Sequence, residues 1–226
     1  MNYVFHFGEL SRFVPLLLEG ALNTLLFSGA GMLAGTAIGL LGAVWRSSRN
    51  AALRLVAASY VELIRNTPLL VQLFVLFFAL PSLGVRLSVT QAALLGLVLN
   101  NGAYMAEIIR AGIENIHPSQ REAAASLGLT RVQAFWWVVI PQAFDRIYPA
   151  MISQFTLLML SSSIISAIGA DELTAYGARI QSETFRSIET YLAIAALYLV
   201  LTYVLRGAAA AMARWMFPRR RGLRQV

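Results

Sequence analysis

Stretches of apolar residues long enough to cross a bilayer constrain this chain more than any other feature. A helical span takes about 20 mostly apolar residues. Such runs occur at 21–44, 89–109, 147–168 and 191–215, and a fifth lies between 55 and 80, interrupted by Arg65-Asn66-Thr67-Pro68. Inside lipid every backbone N–H and C=O must find a partner within the protein, so runs of this length fold as helices. Composition agrees. Only 13% of the residues are charged and the mean hydropathy is +0.65, against about 25% charged in a soluble domain. The expected fold is therefore an all-α polytopic membrane protein, with residues 1–226 forming one transmembrane domain of five spans.

Several chemistries are excluded at once. There are no cysteines, and His6 and His117 are the only histidines. No thiolate or zinc-ligand spacing and no nucleophile triad can be drawn from that set. No G-x-x-x-x-G-K-[ST] loop is present to cradle nucleotide phosphates. All 18 basic residues are arginine, and the formal net charge is +7. In a chain this apolar, such an excess reads as arginine held against anionic headgroups rather than as a nucleic-acid surface. The first twenty residues hold Glu9, Arg12 and Glu19 with no basic segment ahead of the apolar run, so the first span is expected to stay in the mature protein. Arg219, Arg220 and Arg221 read as a headgroup anchor.

Arginine bias sets the orientation. Arg46, Arg49 and Arg54 follow span one, Arg110, Arg121 and Arg131 follow span three, and Arg214, Arg219, Arg220, Arg221 and Arg224 lie at the C-terminus. The opposite loops pair Arg12, Arg86, Arg179 and Arg186 with Asp171, Glu172, Glu183 and Glu189. Positive-inside puts the N-terminus outside and the C-terminus in the cytoplasm. No internal repeat is evident, which disfavours inverted-repeat secondary transporters.

Within the spans, Gly31, Gly35 and Gly39 recur every four residues and share one helix face, where a neighbouring helix can approach closely. Pro68 removes a backbone donor and is expected to bend one long second helix. Polar residues gather at similar depths on two spans: Asn100, Asn101 and Tyr104 on the third, and Gln154, Ser161, Ser162 and Ser163 on the fourth. They are the candidates for a substrate path, because an ammonium and a carboxylate need donors and acceptors once water is stripped away. Each residue type also has a structural use, since serine bonds the preceding helical turn and asparagine joins helices. Glu107 and Arg110 are spaced to pair on one helix surface. Asp171 and Glu172 read either as a receiving surface for an external protein or as a solvated acidic loop.

The segment 110–142 carries the sharpest signal. Pro118 suits the first position of a helix and Glu122 its early, positive end. Ala123-Ala124-Ala125 favours helix with a smooth surface, and Gly128 suits a left-handed cap. Thr130 with Gln133 reads as a capping box opening a second short helix, and Pro141 punctuates the approach to span four. Two short helices joined by a glycine turn make a compact cytoplasmic knob.

Glu122-Ala123-Ala124, Gly128 six residues after the glutamate, and Val139-Ile140-Pro141 resemble the EAA loop of binding-protein-dependent ABC importer permeases. Arg65-Asn66-Thr67-Pro68-Leu69-Leu70-Val71-Gln72-Leu73 resembles a segment of the polar amino acid permeases (the histidine, glutamine and arginine group), with Asn66 where that family has glycine. Residues 103–110, Thr184-Phe185-Arg186 and Glu189 fit the same family. Leu160-Ser161-Ser162-Ser163 departs from it, standing where many members carry Lys-Asp and then Thr-Ser, which speaks either against a cationic substrate or for charges supplied by a second, non-identical permease subunit.

The resemblance implies a permease subunit without a nucleotide site of its own, in the bacterial cytoplasmic (inner) membrane. It implies five core helices, a second permease subunit (identical or homologous), two ABC ATPase subunits, and a periplasmic or surface-tethered solute-binding protein. No cofactor is expected on this chain, ATP and Mg being held by the partner ATPase. Glu122, Ala123, Ala124, Gly128 and Pro141 are the implied coupling residues. The substrate implied is a polar amino acid or close derivative. An ion-gradient-driven secondary transporter of small solutes is the alternative, and predicts charged relay residues inside the membrane.

Overall fold

The computed structural model describes residues 5–216, and these are helical almost throughout. A 3-10 segment, Phe7–Phe13, leads into α1 (Val14–Arg46). Then come α2 (Ala51–Arg65), α3 (Leu69–Phe74), α4 (Val89–Glu114), α5 (Pro118–Ser126), α6 (Arg131–Ala134), α7 (Ile140–Ser161), α8 (Leu173–Thr184) and α9 (Ser187–Met216). Four helical runs, 7–46, 89–114, 131–168 and 187–216, are long and apolar enough to cross a membrane, and the pair α2 with Leu69–Leu83 adds a fifth if counted as one broken span. Arg219, Arg220, Arg221 and Arg224 lie outside the described residues.

The centre of the bundle is the α1–α4 pair. A Cβ on Gly35 would lie 2.8 Å from Asn101 Cβ, and one on Gly39 only 2.5 Å from Met105 Cβ. Removing the side chains every four residues is what brings these two backbones together. Around the seam, Leu73, Leu97, Leu158, Met159, Ile165 and Leu173 are sealed from the surface in one core. Outward, Leu33, Leu55, Leu63 and Tyr203 are each at least 66% exposed, a surface that only a non-aqueous medium or a partner can cover favourably.

Two expectations are corrected. The second span is not one bent helix: α2 and Leu69–Leu83 meet at 108° across Asn66-Thr67-Pro68. The polar, acid-rich stretch 169–190 contains α8. Glu172 is neither solvated nor available to a receiving surface. It is fully buried, and its carboxylate accepts the amides of Thr174 and Ala175, both at 2.9 Å, as the N-cap of α8. It also accepts the Tyr198 hydroxyl at 2.7 Å. Burial pushes the Glu172 carboxyl above the usual carboxylate range, against the pull of those hydrogen bonds.

Two prolines, Pro81 and Pro141, each follow a wide turn, whereas Pro149 lies within α7. Val75–Ala79 and Phe135–Val139 are π-helical, and each ends two residues before a proline, Pro81 and Pro141 respectively. A π turn shifts the carbonyl that a proline ring would otherwise strike. Pro141 therefore does not interrupt the fourth span, which runs on helically from Arg131 to Ile168.

Candidate functional site

The break between α2 and α3 opens onto a cavity of about 540 Å³, lined by Arg65, Asn66, Thr67, Pro68 and Leu69 from the break, Asn100 and Tyr104 from α4, and Gln154, Leu157, Leu158, Ser161 and Ile164 from α7 and its extension. Small-molecule pockets run from about 300 to 1,000 Å³. A helix end leaves its last carbonyls without intrahelical partners, and Gln72 bonds two of the carbonyls at this one. Its amide nitrogen donates to Ile64 O at 2.8 Å and to Thr67 O at 3.0 Å, while its oxygen accepts Asn100 Nδ2 at 3.3 Å. Asn66 Nδ2 donates to both the backbone and the carboxylate of Glu62. The break is thus a braced corner. Replacing Gln72 by leucine would remove its bonds to the Ile64 and Thr67 carbonyls, each contributing about 0.5–1.5 kcal/mol, and thermal denaturation in detergent should show a lowered midpoint.

Arg65 sits over the Tyr104 ring, 5.4 Å from its centroid, an arrangement that holds a cation without neutralising it. It is the one charged side chain among the described residues lining the cavity. Asn66, Thr67, Asn100, Gln154 and Ser161 supply neutral donors and acceptors. The arrangement can take up a carboxylate at Arg65 and polar groups beside it. No carboxylate in the lining matches a second cation.

Of the sequence candidates, Asn100, Tyr104, Gln154 and Ser161 are brought together here. Asn101 points the other way and is fully buried, donating to the carbonyls of Gly31 and Met32 at 3.2 and 3.3 Å. Ser162 and Ser163 bond back to the carbonyls of Met159 and Leu160. Arg65 and Thr67 were not among the candidates; the interruption of an apolar run by Arg-Asn-Thr-Pro was the signal for them.

A second feature lies beyond α4. Pro118 opens α5, Gly128 takes φ +78 in the turn, and the Thr130–Gln133 capping box starts α6, as the residues predicted. Leu129 N bonds Ala124 O at 3.1 Å and Gly128 N bonds Ala125 O at 2.9 Å, closing the turn. Ala124 is buried, while Glu122 and Ala123 are exposed. A groove of about 480 Å³ between the two short helices is lined by Arg121, Glu122, Ala125, Leu129, Arg131, Ala134, Phe135 and Val139. Leu127, Val132 and Trp137 stand exposed nearby.

At the same end of the bundle, Arg46 Nη1 donates to Glu107 Oε2 at 2.9 Å, and Arg110 joins Glu107 to Glu114. The expected Glu107–Arg110 pair is thus the middle of a four-residue chain tying α1 to α4. Among the described residues, no group of three or more His, Cys, Asp or Glu is arranged to hold a metal ion.

Comparison with known proteins adds a lineage. The family described as Binding-protein-dependent transport system inner membrane component matches residues 14–218. The glutamine transport system permease protein GlnP of Escherichia coli (strain K12) is 38% identical over 194 residues, which is 85% of this chain and 89% of GlnP. A crystal structure of an amino acid ABC transporter with histidines superposes with a TM-score of 0.88 at 38% identity, over 94% of this chain and 99% of that one. The MetNI methionine ABC transporter, in inward-facing conformations, shares the fold with a TM-score of 0.75 at 22% identity, over 91% of this chain and 98% of that one.

Proposed function

Because the chain belongs to the family of binding-protein-dependent transport system inner membrane components, we propose that it forms the membrane path of an ATP-driven importer for a polar amino acid with an uncharged side chain. The substrate crosses beside the α2–α3 break. Its carboxylate meets Arg65, and its ammonium and side chain meet the amide and hydroxyl groups of Asn66, Asn100, Gln154 and Ser161. The observation that carries this reading is the cavity lining: a single arginine, held over the Tyr104 ring, among neutral polar groups and with no carboxylate in the wall. Glutamine is the substrate named for the relative GlnP, and its chemistry suits such a lining.

Energy comes from elsewhere. The chain carries no phosphate-cradling loop, so ATP with its Mg is hydrolysed on two separate ATPase subunits. The knob of α5 and α6, on the cytoplasmic side by the arginine bias, is the handle they grip. A second permease subunit, identical or homologous, completes the path, and a solute-binding protein delivers substrate on the outer side, where the N-terminus lies. The setting is the bacterial inner membrane. Coupling requires that the ATP-bound pair hold the knob more tightly in one bundle state than in the other. The ion-gradient alternative has no support in the comparisons.

The test is uptake into vesicles carrying the chain with its ATPase and binding protein. Glutamine uptake should require internal ATP, and arginine should compete poorly. Arg65→Ala should lower uptake about tenfold or more, since a hydrogen bond to a charged group contributes about 1.5–3 kcal/mol. Uptake that follows an imposed ion gradient without ATP would overturn the assignment.

A further inference from the structure

A third open cavity, of about 550 Å³, lies where two spans end. Arg46 contributes from the last residue of α1, Ala51, Arg54, Leu55 and Ala58 from the start of α2, and Arg110 and Glu114 from the end of α4. We propose that it binds the headgroup phosphate of an anionic phospholipid.

Charge is the first argument. Three arginines line or border this groove against the two carboxylates Glu107 and Glu114, which Arg46 and Arg110 engage. Arg54 is exposed, and its recorded bond goes to a neutral group, the Ser48 carbonyl at 3.3 Å. Arg49, exposed in the adjoining turn, adds to the same excess. A guanidinium fork is matched to phosphate oxygens.

Depth is the second argument. Arg46 and Glu114 are the terminal residues of apolar spans, and the neighbouring Trp45, 39% exposed, is of the type that settles at headgroup level. The third is shape. Ala51, Leu55 and Ala58 fall on one face of α2 at i, i+4 and i+7, an apolar strip running from the arginines along the helix. Leu55 is 68% exposed there. A free phosphate has no use for that strip, whereas a lipid would lay its glycerol and acyl chains along it. Basic pockets between helices at a membrane surface take anionic headgroups for these reasons.

The intact transporter, delipidated and returned to micelles, can be titrated with phosphatidylglycerol or phosphatidylcholine and read by native mass spectrometry. Phosphatidylglycerol should be retained over phosphatidylcholine. Arg54→Ala should weaken its retention about fivefold, in line with the contribution of one arginine at an anionic surface. Ala58→Phe, which fills the groove, should do the same, and Arg86→Ala, in the loop between Leu83 and α4 at the other end of the bundle, should change nothing. Equal retention of the two lipids, no effect of either groove variant, or displacement of the lipid by millimolar inorganic phosphate would overturn the proposal.

Discussion

Replacing Gly39 by alanine should cost the protein its folded bundle or a large part of its stability. The added Cβ would lie 2.5 Å from Met105 Cβ, 3.0 Å from Ala106 N and 3.0 Å from Met105 C. These are not the ends of flexible side chains that can swing aside; two of the three atoms are backbone of a helix fixed on its far side by the core. Relief requires α1 and α4 to separate along the whole seam, taking Gly35 away from Asn101 and weakening the amide bonds from Asn101 to Gly31 and Met32. Overpacking typically costs about 1–3 kcal/mol, more where backbone must move. Gly29→Ala is the matched control, because a Cβ there meets nothing within 4 Å. Thermal denaturation of both variants in the same detergent checks the pair. A midpoint for Gly39→Ala equal to that of Gly29→Ala would mean that the seam does not hold the bundle.

The second large effect is on coupling, with the fold left intact. Glu122→Arg reverses a charge on the exposed face of α5 and should reduce ATP-driven uptake by roughly tenfold or more, the scale of an interface anchor. Gly128→Val attacks the same knob by another route. A Cβ at Gly128 meets nothing within 4 Å, so the cost is conformational: φ +78 is a left-handed backbone that a β-branched residue resists. Such strain costs about 1–3 kcal/mol, enough to tilt α6 away from α5 without disturbing spans anchored elsewhere. Both variants should insert and denature like the parent while uptake falls and ATPase activity no longer answers to substrate. Unchanged uptake in both would remove the knob from the mechanism.

What could be read in advance divides by the range of the forces involved. Features set within one or two turns were legible: the glycine stripe on α1, Pro118 opening a helix, the Thr130–Gln133 box and the left-handed turn at Gly128. Each depends on residue type and spacing alone. Pro68 announced a bend, yet the 108° corner is fixed by Gln72 reaching back eight residues to Ile64 O and across to Asn100, and no periodicity encodes that. Asn100 and Asn101 look equivalent in sequence; rotation about α4 sends one to the cavity and the other to the seam. Glu172, in a polar stretch, read as a surface acid because its partner Tyr198 lies 26 residues away. The wide turns before Pro81 and Pro141 left no trace in the hydrophobic pattern.

Those two turns bear on how the bundle can move. A π turn stores one residue more than the α turn it replaces, so its conversion to α geometry would swing everything downstream by about 100° and change the reach by about 1.5 Å. One such store lies between the cavity wall at α3 and the corner at Pro81. The other joins the α5–α6 knob to the long fourth span. Motion at either site can therefore be taken up as twist within a helix that stays hydrogen-bonded throughout, which is the form of slack a bilayer permits.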